Sequence, residues 1–453
     1  MKTLAALSLV LSTATLAHAQ EWPQFRGPMA RGVVEGRAVP TEWNVESGRN
    51  MAWKTAIPGL AHSSPIVWGE RLFVTSAVRE DGEAKLSSLY GSPGYGAGES
   101  AEDEGEHAFK LYCLDKRSGA LLWERTAHEG VPKTGRHPKS SHANSTPAAD
   151  AKHVVAFFGS DGIYCYDHRG ELLWKRDLGA FDVGAPGYDE EGFQWGFASS
   201  PVLAGGKVVV QCDNEGDSFL AALSLEDGKE LWRTARDEDS TWSTPTVHAT
   251  SANGGAQVIV NGYKHIGGYD LETGEELWKL VGGGDVPVPT PVVAGELVFL
   301  TSAHGRSAPV RAVHVEARGL LDPDPDESEH HVWSLARRGI YMQTPIVCGE
   351  FLYCCSDGGI LGCYDAETGE EVYRERLGRG TSGFSGSAVA VNDRLYFSGE
   401  SGEVFVVNAG YEFEVVAVNA MGENCMTTPA VSDGTLFFRT RHHVVAIRDE
   451  SDE

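Results

Sequence analysis

Three groups of residues have the types and spacing that support chemistry in other proteins. Cys354 and Cys355 are adjacent, and Asp322, Asp324 and Asp326 alternate within an acidic run. The third group comprises the polar and aromatic residues that precede a recurring Ser/Thr-x-Pro motif. The chemistry to weigh is therefore a redox thiol pair, an oxygen-ligand Ca²⁺ loop and a ligand-binding surface.

The acidic run does not complete a calcium loop. The position that requires glycine is occupied by Glu327, and Pro323 and Pro325 stiffen the backbone on either side of Asp324. These features favour a solvated loop between strands. The chain also has no CxxC or HExxH spacing of the kind that binds Zn²⁺. We therefore expect no metal site.

The cysteines have the pattern of packing residues. Cys113, Cys165 and Cys363 occupy the same place in three repeats, where other repeats have Ala or Gly. Cys354 and Cys355 lie within a strand-like run, FLYCCSDGG, so they should point to opposite faces of one strand. We expect reduced, structural thiols, and the adjacent pair is the one place where a bridge would be compatible with the fold.

Charge restricts the partners of the chain. Its 453 residues carry 38 Lys and Arg against 64 Asp and Glu, a formal net charge of −26. The long-range field therefore repels the phosphates of nucleic acids and of anionic membrane surfaces. We expect no nucleic-acid partner.

The N-terminus has the pattern of a cleaved secretory signal. Lys2 precedes the apolar run LAALSLVLSTATLA, and Ala17-His18-Ala19 provides the small residues of a cleavage site. No later segment approaches the 20 or so apolar residues that span a bilayer. The first cysteine is Cys113, far from the cleavage point. We predict a signal peptide at 1–19, export to the periplasm or outside the cell, no transmembrane segment and no lipid anchor.

One unit recurs through the mature chain, and each copy begins at the Ser/Thr-x-Pro motif. Successive motifs are 41 to 54 residues apart, except for one interval of 82. A period of this length is typical of β-propellers and other repeat folds. The long interval contains a Gly-, Ser- and Glu-rich insertion at residues 79–108, which we expect to be a solvent-exposed loop. The last residues of the eight motifs are Pro65, Pro147, Pro201, Pro245, Pro291, Pro345, Ala388 and Pro429.

Each unit reads as four short strands with a large aromatic residue in the last one. Val, Ile, Tyr and Phe fill the runs, and Thr-Gly and Asp-Gly pairs separate them. The last unit has only three runs, whereas NMAWKTAI near the N-terminus has the composition of a closing strand with Trp53 in place. We predict one all-β domain at 51–448, an eight-bladed propeller of four-stranded antiparallel blades closed by the N-terminal strand. Residues 20–50 form an N-terminal segment and 449–453 an acidic tail.

The turns LETGEELWK and AETGEEVYR place Thr-Gly before an aromatic closing strand. They resemble the tryptophan-docking repeats of the eight-bladed propellers related to pyrroloquinoline quinone enzymes, over residues 51–448. That superfamily includes quinoprotein alcohol dehydrogenases and the non-catalytic propeller of the outer-membrane protein assembly machinery. The segments EWPQFRGP, HSSPIVWG and DSTWSTPTV look like exported bacterial propellers of this repeat type.

A dehydrogenase of this superfamily would imply a Ca²⁺ site, an aromatic floor under the quinone, a catalytic Asp and adjacent cysteines near the cofactor. Here the adjacent cysteines lie in a late strand, and no motif assigns a Glu, Asn and Asp to one metal. We therefore expect a monomeric, non-catalytic binding or scaffold module for a protein or glycan partner, with no cofactor. The alternative is an oxidoreductase that binds pyrroloquinoline quinone with Ca²⁺.

Residues just before each Ser/Thr-x-Pro motif should converge at one mouth of the central channel. We expect the aromatic rings among them to face a common funnel, with His62, His142 and Arg379 adding cationic contacts to an anionic or hydroxyl-rich ligand. The predicted ligand-binding residues are His62, His142, Asn144, Trp195, Trp242, Tyr341, Gln343 and Arg379, with Phe384 and Met426 beside them.

Overall fold

The computed structural model describes residues 20–87, 89–92, 98–103, 105–184, 193–250, 255–304 and 307–449. The predicted signal peptide and all but the first residue of the predicted acidic tail lie outside these ranges. Within them, no helix has the length and apolar character needed to cross a membrane.

The described chain forms the predicted eight-bladed propeller, and its first half contains blades 1 to 4. The N-terminal segment contributes β1 (Val33–Val34) and β2 (Met51–Ala56). Blade 1 contains β3 (Ile66–Trp68), β4 (Arg71–Arg79), β5 (His107–Asp115) and β6 (Leu121–Gly130). Blade 2 contains β7 (Ala148–Ala149), β8 (His153–Phe157), β9 (Ile163–Asp167) and β10 (Leu172–Arg176). Blade 3 contains β11 (Val202–Ala204), β12 (Lys207–Cys212), β13 (Phe219–Ser224) and β14 (Glu230–Ala235). Blade 4 contains β15 (Thr246–Ala249), β16 (Ala256–Val260), β17 (His265–Asp270) and β18 (Glu276–Val281).

Blades 5 to 8 complete the ring. Blade 5 contains β19 (Val292–Ala294), β20 (Leu297–Thr301) and β21 (Val310–His314); then β22 (Gly319–Leu321) pairs with β18, and β23 (His331–Leu335) closes the blade. Blade 6 contains β24 (Ile346–Cys348), β25 (Phe351–Cys355), β26 (Ile360–Asp365) and β27 (Glu371–Arg376). Blade 7 contains β28 (Val389–Val391), β29 (Arg394–Ser398), β30 (Glu403–Asn408) and β31 (Val415–Ala420). Blade 8 contains β32 (Ala430–Ser432), β33 (Thr435–Arg439) and β34 (His443–Arg448). Three short 3-10 helices span Pro28–Ala30, Gly159–Asp161 and Pro325–Glu327.

The N-terminal strand closes the ring as predicted. β2 pairs antiparallel with β34 and supplies the fourth strand of blade 8, with Trp53 opposite Ala446 and Lys54 opposite Val445. A strand from the start of the chain thereby completes the last blade and joins it to the segment that enters blade 1.

The tryptophans of the closing strands join neighbouring blades. The Trp53 ring lies against Gly119 of blade 1, where a Cβ atom would be 2.5 Å from the ring, and its Nε1–H donates to the Lys116 carbonyl at 3.1 Å. Gly119 has φ +70°, so the turn needs glycine for both its backbone and its close approach. The same pair of contacts recurs for Trp123 on Gly170, Trp174 on Gly228, Trp232 on Gly274 and Trp333 on Gly369.

Trp278 departs from this pattern. Its Nε1–H donates to Gln257 Oε1 within its own blade at 2.9 Å, and β22 pairs in parallel with its strand. The extra strand covers the edge that a docking turn covers elsewhere. We find no sequence signal that predicts an extra strand in place of the docking turn here.

All eight cysteines are buried free thiols. Cys354 and Cys355 belong to different core clusters, because adjacent strand residues face opposite sides of the sheet. Burial raises the pKa of the Cys354 thiol well above its usual range, so the thiol is protonated and unreactive at neutral pH. The prediction of structural, reduced cysteines agrees with this arrangement.

The insertion is shorter and better anchored than the solvent-exposed loop predicted over residues 79–108. β4 ends at Arg79 and β5 begins at His107, so the insertion proper is residues 80–106. Ala84 and Asp103 are buried. Their polar groups have partners, since Arg441 donates to the Ala84 carbonyl at 3.1 Å and Arg136 Nε donates to the Asp103 carboxylate at 2.7 Å. Buried carbonyl and carboxylate groups need such partners.

Replacing Trp53 by Ala tests the closure. The side chain is 8% exposed, so we expect its loss to lower the free energy of unfolding by about 3 to 5 kcal/mol. The matched control is Leu121→Ala on the closing strand of blade 1, which is 50% exposed and should change stability by no more than about 0.5 kcal/mol. Urea unfolding followed by circular dichroism measures both variants, and equal midpoints would contradict the docking role.

Candidate functional site

The central channel contains a cavity of about 560 Å³ that is lined by residues from every blade. This volume is typical of sites for small molecules. The second residue of each Ser/Thr-x-Pro motif lies in its wall, so each blade contributes one hydroxyl. These residues are Ser64, Thr146, Ser200, Thr244, Thr290, Thr344, Ser387 and Thr428.

The eight side chains form a hydrogen-bonded ring, which we call the hydroxyl ring. In seven links, the backbone N–H of one member bonds to the hydroxyl of a neighbouring blade at 2.9 to 3.2 Å. The donor and acceptor pairs are Ser64 to Thr146, Thr146 to Ser200, Ser200 to Thr244, Thr290 to Thr344, Thr344 to Ser387, Ser387 to Thr428 and Thr428 to Ser64.

The motif explains the ring. Proline disfavours helical backbone in the residue before it and has no N–H of its own, so it opens the inner strand with the preceding residue extended. The preceding Ser or Thr then faces the axis and serves as both donor, through its N–H, and acceptor, through its hydroxyl. The seventh motif, which ends in Ala388 in place of proline, joins the ring through Ser387 in the same way.

The hydroxyl hydrogens of the ring have no protein acceptor within the described residues. All seven bonded hydroxyls accept an N–H, and the Oγ1 atom of Thr290 has no partner there. The eight residues are only 1 to 4% exposed. A buried hydroxyl that cannot donate loses free energy, so the ring favours a ligand or water that supplies acceptors.

One end of the cavity is closed by the N-terminal segment, and we call residues 21–36 the channel plug. Trp22 exchanges two backbone hydrogen bonds with Val67 of the innermost strand of blade 1, at 2.8 and 2.9 Å. On blade 7, β1 pairs in parallel with β28, and the Ala390 N–H donates to the Gly32 carbonyl. Phe25 of the plug reaches the cavity and forms part of its floor.

Arg26 fixes the plug to the blades. Its guanidinium is fully buried and donates to the carbonyls of Ala30 and Arg31 within the plug, and to those of Pro345 and Ala388 from blades 6 and 7, at 2.8 to 3.1 Å. Burial lowers the pKa of Arg26 to about 9. The arginine in EWPQFRGP therefore has a structural role, which sequence reasoning did not assign.

An aromatic wall faces the cavity from blades 2 to 6. The rings of Trp195 and Trp242 are 5.6 Å apart and tilted by 34°, and Tyr341 stacks near His304 with ring centroids 5.1 Å apart. Trp242 Nε1–H donates to the Gly196 carbonyl at 2.8 Å, which orients its ring. All three aromatic residues line the cavity. Trp242 is buried and belongs to a core cluster against which Trp195 and Tyr341 pack, so it remains a prediction that all three present their ring faces to a common funnel.

Two described parts of the insertion contact residues near this wall. The Trp195 indole N–H donates to the Gly98 carbonyl at 2.8 Å, and the backbone N–H of Tyr90 donates to Glu400 of blade 7 at 3.0 Å. Lys139 forms an ion pair with the same carboxylate at 2.5 Å. The lysine nearest the cavity therefore has a counter-ion in the protein.

The structure brings part of the predicted site together. Three predicted residues do not line the cavity: His142 turns toward Asp103, Gln343 is buried away from the cavity, and Arg379 is exposed in a turn. Phe384 packs in the core between blades 6 and 7. The residues that do line the cavity are His62, Asn144, Trp195, Trp242, Tyr341 and Met426.

The predicted cationic contacts are wrong. Desolvation in the channel lowers the pKa of His62 to about 3, and its Nε2–H donates to the Lys139 carbonyl at 3.0 Å. The imidazole is therefore neutral at pH 7. His142 and Arg379 lie outside the cavity, so the predicted residues add no positive charge to it.

The lining does not fit a quinone held by Ca²⁺. Such an ion takes six to eight oxygen ligands, with carboxylates prominent among them. Asp357 is the one carboxylate among the described lining residues. Asn144 is already engaged, because its Oδ1 accepts from Ser141 and its Nδ2 donates to Ser140 and to the Phe197 carbonyl.

Two matched threonines test the hydroxyl ring. Thr344→Val removes the acceptor of the Thr290 N–H, so we expect a loss of about 1 to 3 kcal/mol in unfolding free energy. Thr290→Val removes a hydroxyl that has no partner in the described structure, and it should cost less than about 0.5 kcal/mol. Equal losses in urea unfolding would show that the ring bonds do not stabilise the fold.

Three solved propellers have a similar fold. BamB from Moraxella catarrhalis superposes with a TM-score of 0.54 and 13% identity, over 82% of this chain and 98% of that one. A europium-containing methanol dehydrogenase gives 0.61 and 12%, over 94% and 89%. The quinohemoprotein alcohol dehydrogenase from Comamonas testosteroni gives 0.61 and 9%, over 94% and 80%. Likeness at such identities shows the fold alone.

No curated protein matches this sequence. The family model described as outer membrane protein assembly factor BamB matches residues 107–375, which is more than half of the chain. This chain is therefore a member of the pyrroloquinoline-quinone-like propeller family that carries that description.

Proposed function

We propose that this chain is an exported, non-catalytic binding module, and that it holds a neutral, hydroxyl-rich ligand, a glycan, in its channel cavity. The observation that carries the proposal is the buried hydroxyl ring, whose hydrogens have no acceptor among the described residues, beside a wall of aromatic rings. The family description, an assembly factor, supports a binding role, and the N-terminal pattern at residues 1–19 supports export.

The two sides of the cavity match the two faces of a sugar. The apolar face of a pyranose packs on an aromatic ring, and Trp195 is half-buried at the edge of the cavity where such a ring could rest. The hydroxyls of a sugar accept and donate hydrogen bonds, so they satisfy the donors of the hydroxyl ring. The volume of about 560 Å³ accommodates a ligand of a few rings.

Charge distinguishes a glycan from an anionic cofactor. The chain has a net charge of −26, His62 is neutral, and Lys139 is paired with Glu400. A ligand with several carboxylates, such as pyrroloquinoline quinone, would enter this field, and the one Lys or Arg among the described lining residues, Lys139, already pairs with Glu400. The same field does not oppose a neutral glycan.

Binding to a glycan array tests this function. We expect the wild-type protein to bind a subset of neutral glycans, and Trp195→Ala to reduce binding several-fold because it removes the stacking surface. Thr290→Val should also weaken binding, since it removes a ring donor without removing a ring bond. Leu173→Ala, at a position 47% exposed on the outside of blade 2, is the control and should bind as the wild type does.

Calorimetry with pyrroloquinoline quinone and Ca²⁺ forms the second arm. Saturable binding of the quinone, with no glycan binding, would replace this proposal by the oxidoreductase alternative. Absence of both, or glycan binding unchanged in Trp195→Ala, would refute the cavity as the binding site and leave the outer surfaces for a protein partner.

A further inference from the structure

A second cluster of polar side chains lies beside the channel mouth, outside the cavity. Asp103 comes from the insertion, His107 begins β5, and His142 belongs to the connection between blades 1 and 2. The ligand-type atoms of the three side chains all lie within 4.8 Å of one another. The Nε2 atoms of His107 and His142 are 3.6 and 3.7 Å from the two oxygens of Asp103.

The two imidazole nitrogens are buried and have no hydrogen-bond partner within the described residues. The side chains of His107 and His142 are 1% and 8% exposed. At 3.6 Å and more, neither nitrogen forms a hydrogen bond with the carboxylate. Unpartnered buried nitrogens of this kind cost free energy and need an explanation.

The tautomer of His107 makes the cluster a set of electron-pair donors. Its Nδ1 atom is 2.8 Å from the Gly105 carbonyl, and a carbonyl only accepts, so Nδ1 carries the proton. In the neutral ring, Nε2 then presents a lone pair to Asp103. Metal-binding histidines have this arrangement, with the second ring nitrogen donating to a backbone carbonyl.

We propose that Asp103, His107 and His142 bind a divalent transition-metal ion, with Zn²⁺ as the representative. Two imidazoles and one carboxylate provide three ligands for a tetrahedral ion at about 2.0 to 2.2 Å, which places the ligand atoms about 3.4 Å from one another. The shortest separations in the cluster, 3.6 and 3.7 Å, are already near this value, and the longest, at most 4.8 Å, shortens by up to about 1.4 Å when the ion binds. An ion at this point satisfies both nitrogens.

The surrounding charges are compatible with the ion. Arg136 Nε and Arg79 Nη1 donate to the two oxygens of Asp103 at 2.7 and 3.1 Å, and Asp81 pairs with Arg79 at 2.6 Å. The two arginines and two aspartates cancel, so the cluster is neutral before an ion binds. A carboxylate has about four lone-pair positions, so the two arginine bonds leave room for one metal bond.

Binding would tie the insertion to the body of the propeller. Asp103 is the insertion's ligand, whereas the histidines belong to blade 1 and to the connection that follows it. The insertion also supplies Gly98 to the cavity. The ion therefore acts as a structural clamp at the channel mouth, and this role does not depend on which ligand the cavity binds.

Titration with Zn²⁺ and with Co²⁺ tests the site, by calorimetry for the first and visible absorbance for the second. We expect one ion per chain, and an at least tenfold loss of affinity in His142→Gln and in Asp103→Asn. Replacing a residue that only hydrogen-bonds to a metal ligand typically weakens metal binding about 10- to 100-fold, and replacing the ligand itself should cost at least as much. The matched control is His62→Gln. His62 is also a histidine just before a blade motif, but its Nε2–H already donates to the Lys139 backbone carbonyl, so metal affinity should not change.

Circular dichroism and urea unfolding verify that each variant is folded. If Asp103→Asn does not fold, His142→Gln still tests the site, because His142 is the least buried of the three ligands. The proposal is overturned if the folded wild type takes up neither metal saturably. It is equally overturned if the folded His142→Gln variant binds the ions as tightly as the wild type and the His62→Gln control do.

Discussion

The ring of backbone N–H to hydroxyl hydrogen bonds around the axis is the constraint on which the rest of the structure depends. Each Ser or Thr before the strand-opening residue links its blade to a neighbour, and seven of these links are formed. The bonds use groups that are buried and would otherwise lack partners. The Ser/Thr-x-Pro motif therefore recurs once per blade because each blade contributes one residue to the ring. The Trp–Gly contacts join neighbouring blades in the same way at their outer strands.

The channel inside this ring contains a cavity because other segments of the chain cover the ends of the channel. The plug pairs with the innermost strands of blades 1 and 7 through Trp22 and β1, and Arg26 ties it to two further carbonyls. Gly98 of the insertion accepts a hydrogen bond from the Trp195 indole and also lines the cavity. The cavity is lined by the hydroxyl ring and by aromatic side chains, in a chain with a net charge of −26.

The fold could be predicted from the sequence because its signals are local and repeated. Trp53 near the N-terminus and three strands in the last unit were enough to predict the closure. The site was predicted only in part, because its residues meet through long-range packing. Gln343 and Thr344 are neighbours in the segment before β24 and both are buried, yet only Thr344 lines the cavity. Asp103 was assigned to an exposed loop, since nothing in the spacing of a single sequence shows that Arg136 and two histidines surround it.

The hydroxyl ring holds the blades with its oxygens and offers its hydrogens to the cavity. Neutron diffraction from a deuterium-exchanged crystal observes those hydrogens directly. We expect deuterium on the hydroxyls of Thr146, Ser200, Thr344 and Thr428 directed into the cavity, toward ligand or water oxygens, with each oxygen accepting the N–H of a neighbouring blade. Hydroxyl hydrogens directed to protein carbonyls, or N–H groups bonded elsewhere, would show that the ring does not offer its hydrogens to a ligand.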